Sequence, residues 1–471
     1  MANPTPSLDR LASLDAEGKR KFIYPADVKG RLNTIRRVVF AVLGTVLVGL
    51  PWVNVAGRPA VLLDIPRRQF FLFGKIFFAT DAWMLFFVVS GLGFTLLAAT
   101  AVFGRVWCGF ACPQTVFVDG WYRKIERWIE GTREERIKLE KAPWGLSKIA
   151  KKTAKHALYV ISSLAIAHAI LGFFFPVRTL FSMVIAGPGQ HLEAFVWTMA
   201  VAGLFYFDFG WFREQFCIIM CPYGRLQSAL TDEDTINVAY DVKRGEPRGK
   251  LKVLGNGDCV DCKRCVNVCP TGIDIRQGLQ LECIGCTACM DACDEIMVKV
   301  GKPVGLIRMA SERNLAGEKT RWIRPRTIAY AVAGLVGLTV ATFAIGGEKG
   351  FSATVLRPTG APYAVDDGTI RNVVRLRLAN KAGTQTTLRI DPAATKATLV
   401  IPQREVVVPP MGTVEVPLIA TVPTSAFEGD FDMELSVHPV GVTSAEVVHA
   451  RFMGPMTHHE HHEREHHDEH H

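Results

Sequence analysis

Five runs of about 20 apolar residues constrain this chain most, because a segment of that length and hydropathy crosses a bilayer as a helix. They lie at about 36–55, 82–103, 156–175, 192–212 and 327–346. The first, RVVFAVLGTVLVGLPWVNVA, and the last, TIAYAVAGLVGLTVATFAIGG, are uncharged beyond flanking arginines. The third holds His168, and the fourth holds Glu193 and Asp208 near its ends. Polar residues precede the first run over too long a stretch for a cleavable signal peptide, so it is expected to remain as a span.

Counting basic residues in the flanks predicts an orientation. Lys and Arg number eight in 1–37, twelve in 104–155 and six in 308–326, against four in 57–80 and one in 176–190. The basic segments, including the N-terminus and all of 213–326, are expected on the cytoplasmic side. The loops after the first and third helices and everything after 347 are expected outside. This asymmetry accounts for much of the net charge of +9. No basic face interleaved with aromatics stands on a soluble segment, so nucleic acid is not an expected partner.

Twelve cysteines are too sparse in a chain of this length for a disulfide scaffold, so their spacing decides their use. Cys259, Cys262, Cys265 and Cys269, with Pro270 following, and then Cys283, Cys286, Cys289 and Cys293, spell C-x2-C-x2-C-x3-C twice. Three thiolates two residues apart wrap one corner of an iron–sulfur cube, and the fourth of each run turns to the neighbouring cluster. One [4Fe–4S] cluster is therefore expected on Cys259, Cys262, Cys265 and Cys293, and another on Cys269, Cys283, Cys286 and Cys289. Zinc is the plainer alternative for paired C-x2-C runs, and two identical four-member runs weigh against it. Over about 250–305 the chain resembles a bacterial two-cluster ferredoxin, with Asp294 where proline would follow Cys293. That departure is expected to expose or tune the first cluster without removing a ligand. Thr287, Gly285 and Gly272 suit a tight backbone that brings amides to sulfur, and equally suit plain turns.

The other four cysteines form a repeat, Cys108-Gly-Phe-Ala-Cys112-Pro113 and Cys217-Ile-Ile-Met-Cys221-Pro222, each just past an even-numbered span. Three intervening residues are expected to set both thiols on one helix face, with the proline ending or kinking the turn. Such soft ligands suit Cu(I), a further cluster or a redox-active dithiol, and small buried cysteines also simply pack helices. His168 is a weaker candidate for a metal or haem, since a lone intramembrane histidine more often pairs with a neighbouring helix. Met183, Met199 and Met220 are candidate thioether ligands or core filler. Trp121 to Trp128, with the charged residues up to Lys155, reads as an interfacial amphipathic helix that contacts membrane lipid.

After residue 347 the pattern changes to short β-branched segments parted by Pro, Gly and Asp. Seven strands are expected, at 373–378, 387–390, 397–401, 405–408, 413–419, 432–437 and 447–452, forming an immunoglobulin-like β-sandwich without cysteine. The last fourteen residues, HHEHHEREHHDEHH, hold eight of the thirteen histidines. Such a tract either gathers Cu(II) or Zn(II) or is a solvated tail. The chain thus reads as a multi-domain membrane protein: a cytoplasmic segment 1–35, four helices within 36–212 with a basic loop 104–155, a ferredoxin-like insert within 213–326, a fifth helix at 327–346, an exported β-domain at 348–455 and the tail 456–471.

This order of parts resembles the CcoG family, also called FixG or RdxA. The resemblance rests as well on Arg67-Arg68-Gln69-Phe70 with Phe73-Gly74, Trp107-Cys108-Gly109, Cys221-Pro222-Tyr223-Gly224-Arg225, and Arg371-Asn372 with Asn380-Lys381. It implies a bacterial inner-membrane accessory protein for assembly of the cbb-type cytochrome c oxidase. In that role it would be a cupric reductase supplying Cu(I), with copper chaperones and oxidase assembly factors as partners. It also implies cluster ligation for the eight ferredoxin cysteines and a redox or copper role for Cys108, Cys112, Cys217 and Cys221. Two other readings stay open: a quinol-oxidising conduit that feeds a periplasmic reductase, and a non-catalytic scaffold with structural clusters.

Overall fold

The computed structural model describes residues 13, 17, 19–55, 58–66, 68–78, 81–251, 255–347, 350–392, 395–441 and 445–455. The His/Glu tail at 456–471 and Arg67 lie outside the described residues. Two compact units divide the chain. Residues 55–58, 68–80 and those from 344 onward make the second, and the rest up to 343 make the first.

The first unit carries the spans. Helices or helical runs at Arg31–Trp52, Ala82–Phe103, Leu146–Leu171, Leu192–Phe212 and Pro325–Gly346 are long and apolar enough to cross a membrane. Their outward faces show Val38, Val42, Phe86, Val89 and Leu335, as expected of helices solvated by lipid. The second and fifth helices meet on small residues. A Cβ added at Gly91 would lie 2.8 Å from Leu338 N, and one at Gly337 would lie 2.8 Å from Gly91 Cα. Backbones this close are the usual glue of membrane helices, which lack a hydrophobic force between them.

Three boundaries differ from expectation. The third span begins at Leu146, ten residues before position 156, because the lysines in its first turns find partners on the segment that precedes the helix. Lys152 and Lys155 pair with Glu130 at 3.2 and 2.8 Å, and Lys148 donates to the Ala142 carbonyl at 2.7 Å. The fourth helix is regular only over Leu192–Phe207 and widens into a π-turn at Asp208–Phe212. The stretch from Trp121 to Lys155 is not one interfacial helix. It breaks after Arg123–Ile129, where Gly131 takes φ +95 and Thr132 opens Arg133–Lys141 with a capping box to Glu135. Glycine tolerates that φ, and the box satisfies the new helix's free amides.

Between the fourth and fifth spans lies the ferredoxin-like insert. Strands Asn237–Tyr240 and Ile307–Ala310 pair antiparallel and, with helix Ala288–Lys299, pack a core that includes Tyr240, Ile273, Ile275, Met297 and Leu306.

The second unit is a β-sandwich. One sheet orders Thr398–Val400, Thr413–Pro423, Thr369–Asn380 and Phe351–Leu356, with Ala364–Asp366 beside the third; the other orders Glu405–Val408, Thr386–Pro392, Phe431–Pro439 and Glu446–Phe452. Alternate residues such as Val374, Leu376, Leu378, Leu388, Ile390, Leu418 and Val437 fill the space between them. The two Asn of the family segments are fully buried and pin strand ends. Asn372 bridges Met453 N and O, and Asn380 donates to the Thr384 carbonyl at 2.8 Å. Sequence reading missed the strands Phe351–Leu356 and Ala364–Asp366. It also treated 57–80 as a loop, whereas Gln69–Leu72 pairs with Lys75–Phe78 about a turn in which Phe73 and Gly74 both have positive φ, the geometry a two-residue hairpin needs.

Candidate redox site

The two cysteine runs fold into tight loops ahead of short helices. Asp261, Lys263 and Thr287 all take left-handed φ of +51 to +60, as do Gly272 and Gly285 at +76 and +67. This curls each loop so that its thiols point inward. The result is two cavities. Cys259, Cys262, Cys265 and Cys293 line one, with Tyr240, Arg276, Met297 and Ile307. Cys269, Cys283, Cys286 and Cys289 line another, with Ile273, Ile275, Ile284 and Thr287, and Cys265 stands on the wall of both. Helix Ala288–Lys299 carries Cys289 and Cys293 about one turn apart, so each run sends one thiol to the other's cavity.

These cavities suit a cube better than a single ion. Among the described residues, no three Cys, His, Asp or Glu side chains converge closely enough for one metal ion. Burial pushes the Cys265 and Cys283 thiols up to about 11 and those of Cys286 and Cys293 up to about 12. Thiols left neutral by burial become thiolates only where a cation compensates, and iron supplies that charge.

The C-x3-C-P motifs differ from the expected single helix. Cys108 sits in the short helix Val106–Phe110, but Cys112 is extended, with φ −63 and ψ 127, and caps the next helix, Pro113–Phe117. Cys217 lies in the π-turn Phe216–Met220, and Cys221, with φ −67 and ψ 111, caps Pro222–Leu230. Proline is the cause in both. Its ring disfavours a helical residue just before it, while its fixed φ and missing N–H suit the first helical position. The two motifs therefore share one bend, and their thiols lie close enough to raise one another. Burial pushes Cys108 up to about 11 against an opposing hydrogen bond from Gln227. Burial also raises Cys217, helped by Cys112, Cys108 and Cys221.

Backbone contacts join this thiol group to the second ferredoxin cavity. A Cβ on Gly109 would lie 2.7 Å from Gly285 O and 2.8 Å from Cys286 N, and one on Gly285 would lie 2.9 Å from Arg105 O. Cys108 packs against the apolar cluster of Val28, Val268, Ile284 and Cys286, as does Cys289. Arg105 donates to the Leu281 carbonyl and, at 2.8 Å, to Gly224 O, tying both motifs to the cluster loop. Gln227, fully buried, sets its amide 3.3 Å from Cys108 Sγ.

A buried ion network holds the base of the spans. Glu126 accepts from Arg213, from Arg136 at 3.1 Å and from Tyr159 at 2.8 Å. Arg123 reaches Asp119, Glu214 at 3.2 Å and the carbonyl of Pro270, next to Cys269, at 2.9 Å. Arg36 bridges Asp119 and, at 2.7 Å, Gly109 O. Sequence reasoning missed Arg36, Arg105, Gln227 and this network; charges in a basic loop beside spans were the available signal. The weaker candidates are not gathered. Among the described residues, Nε2 of His168 has no partner and its ring lies edge-on to Phe181. Met199 and Met220 are exposed, and Met183 is half-buried on helix Val177–Ala186.

The chain matches three family models: a 4Fe–4S dicluster domain over residues 212–312, a 4Fe–4S binding domain over 83–131, and the Ig-like fold at the C-terminus of FixG over 341–455. It is 39% identical to protein RdxA of Cereibacter sphaeroides over 78% of this chain and 81% of that protein. It is 36% identical to the nitrogen fixation protein FixG of Rhizobium meliloti over 80% of this chain and 81% of that protein. It is also 26% identical to the ferredoxin-type protein NapH of Haemophilus influenzae, over 42% of this chain and 63% of that protein. With its spans, its ferredoxin-type module and its sandwich, the chain belongs to the FixG/RdxA family of membrane iron–sulfur electron-transfer proteins.

Proposed function

We propose that this protein reduces Cu(II) to Cu(I) at its C-x3-C-P thiols and supplies the product for assembly of the cbb-type cytochrome c oxidase. Cys259, Cys262, Cys265 and Cys293 would hold one [4Fe–4S] cluster, and Cys269, Cys283, Cys286 and Cys289 the other. When bound, the clusters supply one-electron carriage, and one electron converts each Cu(II) to Cu(I). The observation that carries the reading is Cys108 packed against the apolar cluster that contains Cys286 and that Cys289 also packs against, which brings one of the four soft thiols to the edge of the second cluster site. Thiolates favour Cu(I) over Cu(II), so a pair of these thiols would hold the product. Gln227 orients Cys108 through its amide, and Gly109 lets the two backbones close. The basic segments would face the cytoplasm of a bacterial inner membrane and the sandwich the periplasm. Purified, cluster-loaded protein given a chemical reductant and Cu(II) should form Cu(I), trapped by a colorimetric chelator. Cys217→Ala with Cys221→Ala should abolish the colour while iron content stays unchanged. No Cu(I) from the wild-type protein with reduced clusters overturns the reading.

A further inference from the structure

An open cavity of about 300 Å3 lies between the start of the first span, helix Arg123–Ile129 and the ferredoxin module. Arg36, Arg37, Arg123, Lys124, Arg127 and Arg136 line it, against two carboxylates, Asp27 and Asp119. Those carboxylates are already used. Asp119 pairs with both Arg36 and Arg123, and Asp27 with Arg127 at 2.7 Å. Arg136 turns to Glu126. Among the described residues, Arg37 reaches only the Val28 carbonyl, at 3.4 Å. Partial burial and the Arg37 guanidinium push the Lys124 ammonium below the usual lysine range, with no acid opposing them. Behind this pair stand Arg123 and Arg136, only 9% and 4% exposed, whose charges add to the wall of the cavity.

Arg37 and Lys124, both exposed and without a carboxylate partner among the described residues, suit an anion rich in acceptor oxygens. Phosphate offers the oxygens and the charge, and arginine forks match it. Trp128, on the cavity wall, and its edge-on neighbour Trp121 are exposed, as aromatics at headgroup depth are. We propose that this cavity binds a phosphate-bearing anion, a phospholipid headgroup or a free phosphate ester, held by Arg37 and Lys124 with Arg123 and Arg136 behind them. Val268, Pro270 and Ala288 also line it, so the bound phosphate sits beside Cys269 and Cys289. The inference does not depend on the copper reading.

The test uses the full-length, cluster-loaded protein. Native mass spectrometry after exchange into mixed phosphatidylglycerol–phosphatidylcholine nanodiscs reads lipid retention, and titration with ADP in detergent reads a soluble ester. The wild type should retain phosphatidylglycerol in preference to phosphatidylcholine, or bind ADP, and excess inorganic phosphate should compete. Arg37→Gln with Lys124→Gln should weaken that binding about tenfold or more. Lys138→Gln with Lys141→Gln, exposed on helix Arg133–Lys141, should leave it unchanged, and iron content should stay unchanged in both variants. Retention of phosphatidylglycerol alone identifies a headgroup, and ADP binding alone identifies a soluble ester; either supports the site. The proposal is overturned by no preference for either probe, by equal loss in the control variant, or by failure of phosphate to compete in the wild type.

Discussion

At the scale of single residues, two positions carry sharp consequences. Gly109 has no room for a methyl group against Gly285 and Cys286, and the obstructing atoms are backbone. Gly109→Ala should therefore cost about 1–3 kcal/mol and separate the C-x3-C turn from the second cavity, which a lowered Tm and an altered EPR signal from one of two clusters would report. Glu126 is the second position. Burial alone would raise its carboxyl, but Arg213, Arg136 and the Tyr159 hydroxyl hold it at about 2, below its usual 4.5. A depressed carboxylate stabilises the fold in full above the unfolded value, and that contribution fades as pH falls from about 4.5 towards about 2. Thermal unfolding of the detergent-solubilised protein should show this fade in the wild type. Glu126→Gln should flatten it and cost about 3–5 kcal/mol near neutral pH, because Arg213 is left buried with its charge uncompensated. The twelve cysteines were legible in the sequence because chemistry dictates their spacing. Arg105, Gln227 and Arg213 were not, since each acts on residues brought beside it only by folding, such as Gln227 on Cys108, 119 positions away.

At the scale of elements, the five apolar runs and seven strands could be read directly from period and length, while their ends could not. The third span starts early because Glu130 and Glu140 neutralise lysines that a hydropathy count treats as stops. The C-x3-C spacing predicts both thiols on one helix face, with the proline ending or kinking the turn; the proline acts one residue earlier, drawing Cys112 and Cys221 out of helical geometry. Releasing that constraint is a direct check. Pro222→Ala should let Cys221 enter a helix and misplace its thiol, reducing the rate of Cu(I) formation about 10- to 100-fold with iron content and far-UV circular dichroism unchanged. An unaltered rate would show that the bend has no part in the site.

At the scale of the whole molecule, one chain joins a membrane bundle with a cysteine-rich insert to a sandwich that contains no cysteine. The sandwich has its own core, with Leu376, Leu378, Leu388, Leu418 and Val437 fully buried. A fragment spanning residues 350–455 should therefore fold as a soluble β-protein whose Tm is the same with and without reductant; an aggregated or unfolded fragment would show that it relies on the rest of the chain. The central claim is that the C-x3-C-P thiols stand where electrons leave the protein for copper. Anaerobic mixing of the pre-reduced protein with Cu(II), following the cluster EPR signal and chelated Cu(I) together, tests it most directly. Loss of the reduced-cluster signal should match the Cu(I) formed in the wild type and should stall in Cys217→Ala with Cys221→Ala. Clusters that reoxidise and yield Cu(I) equally well in that variant would contradict the account.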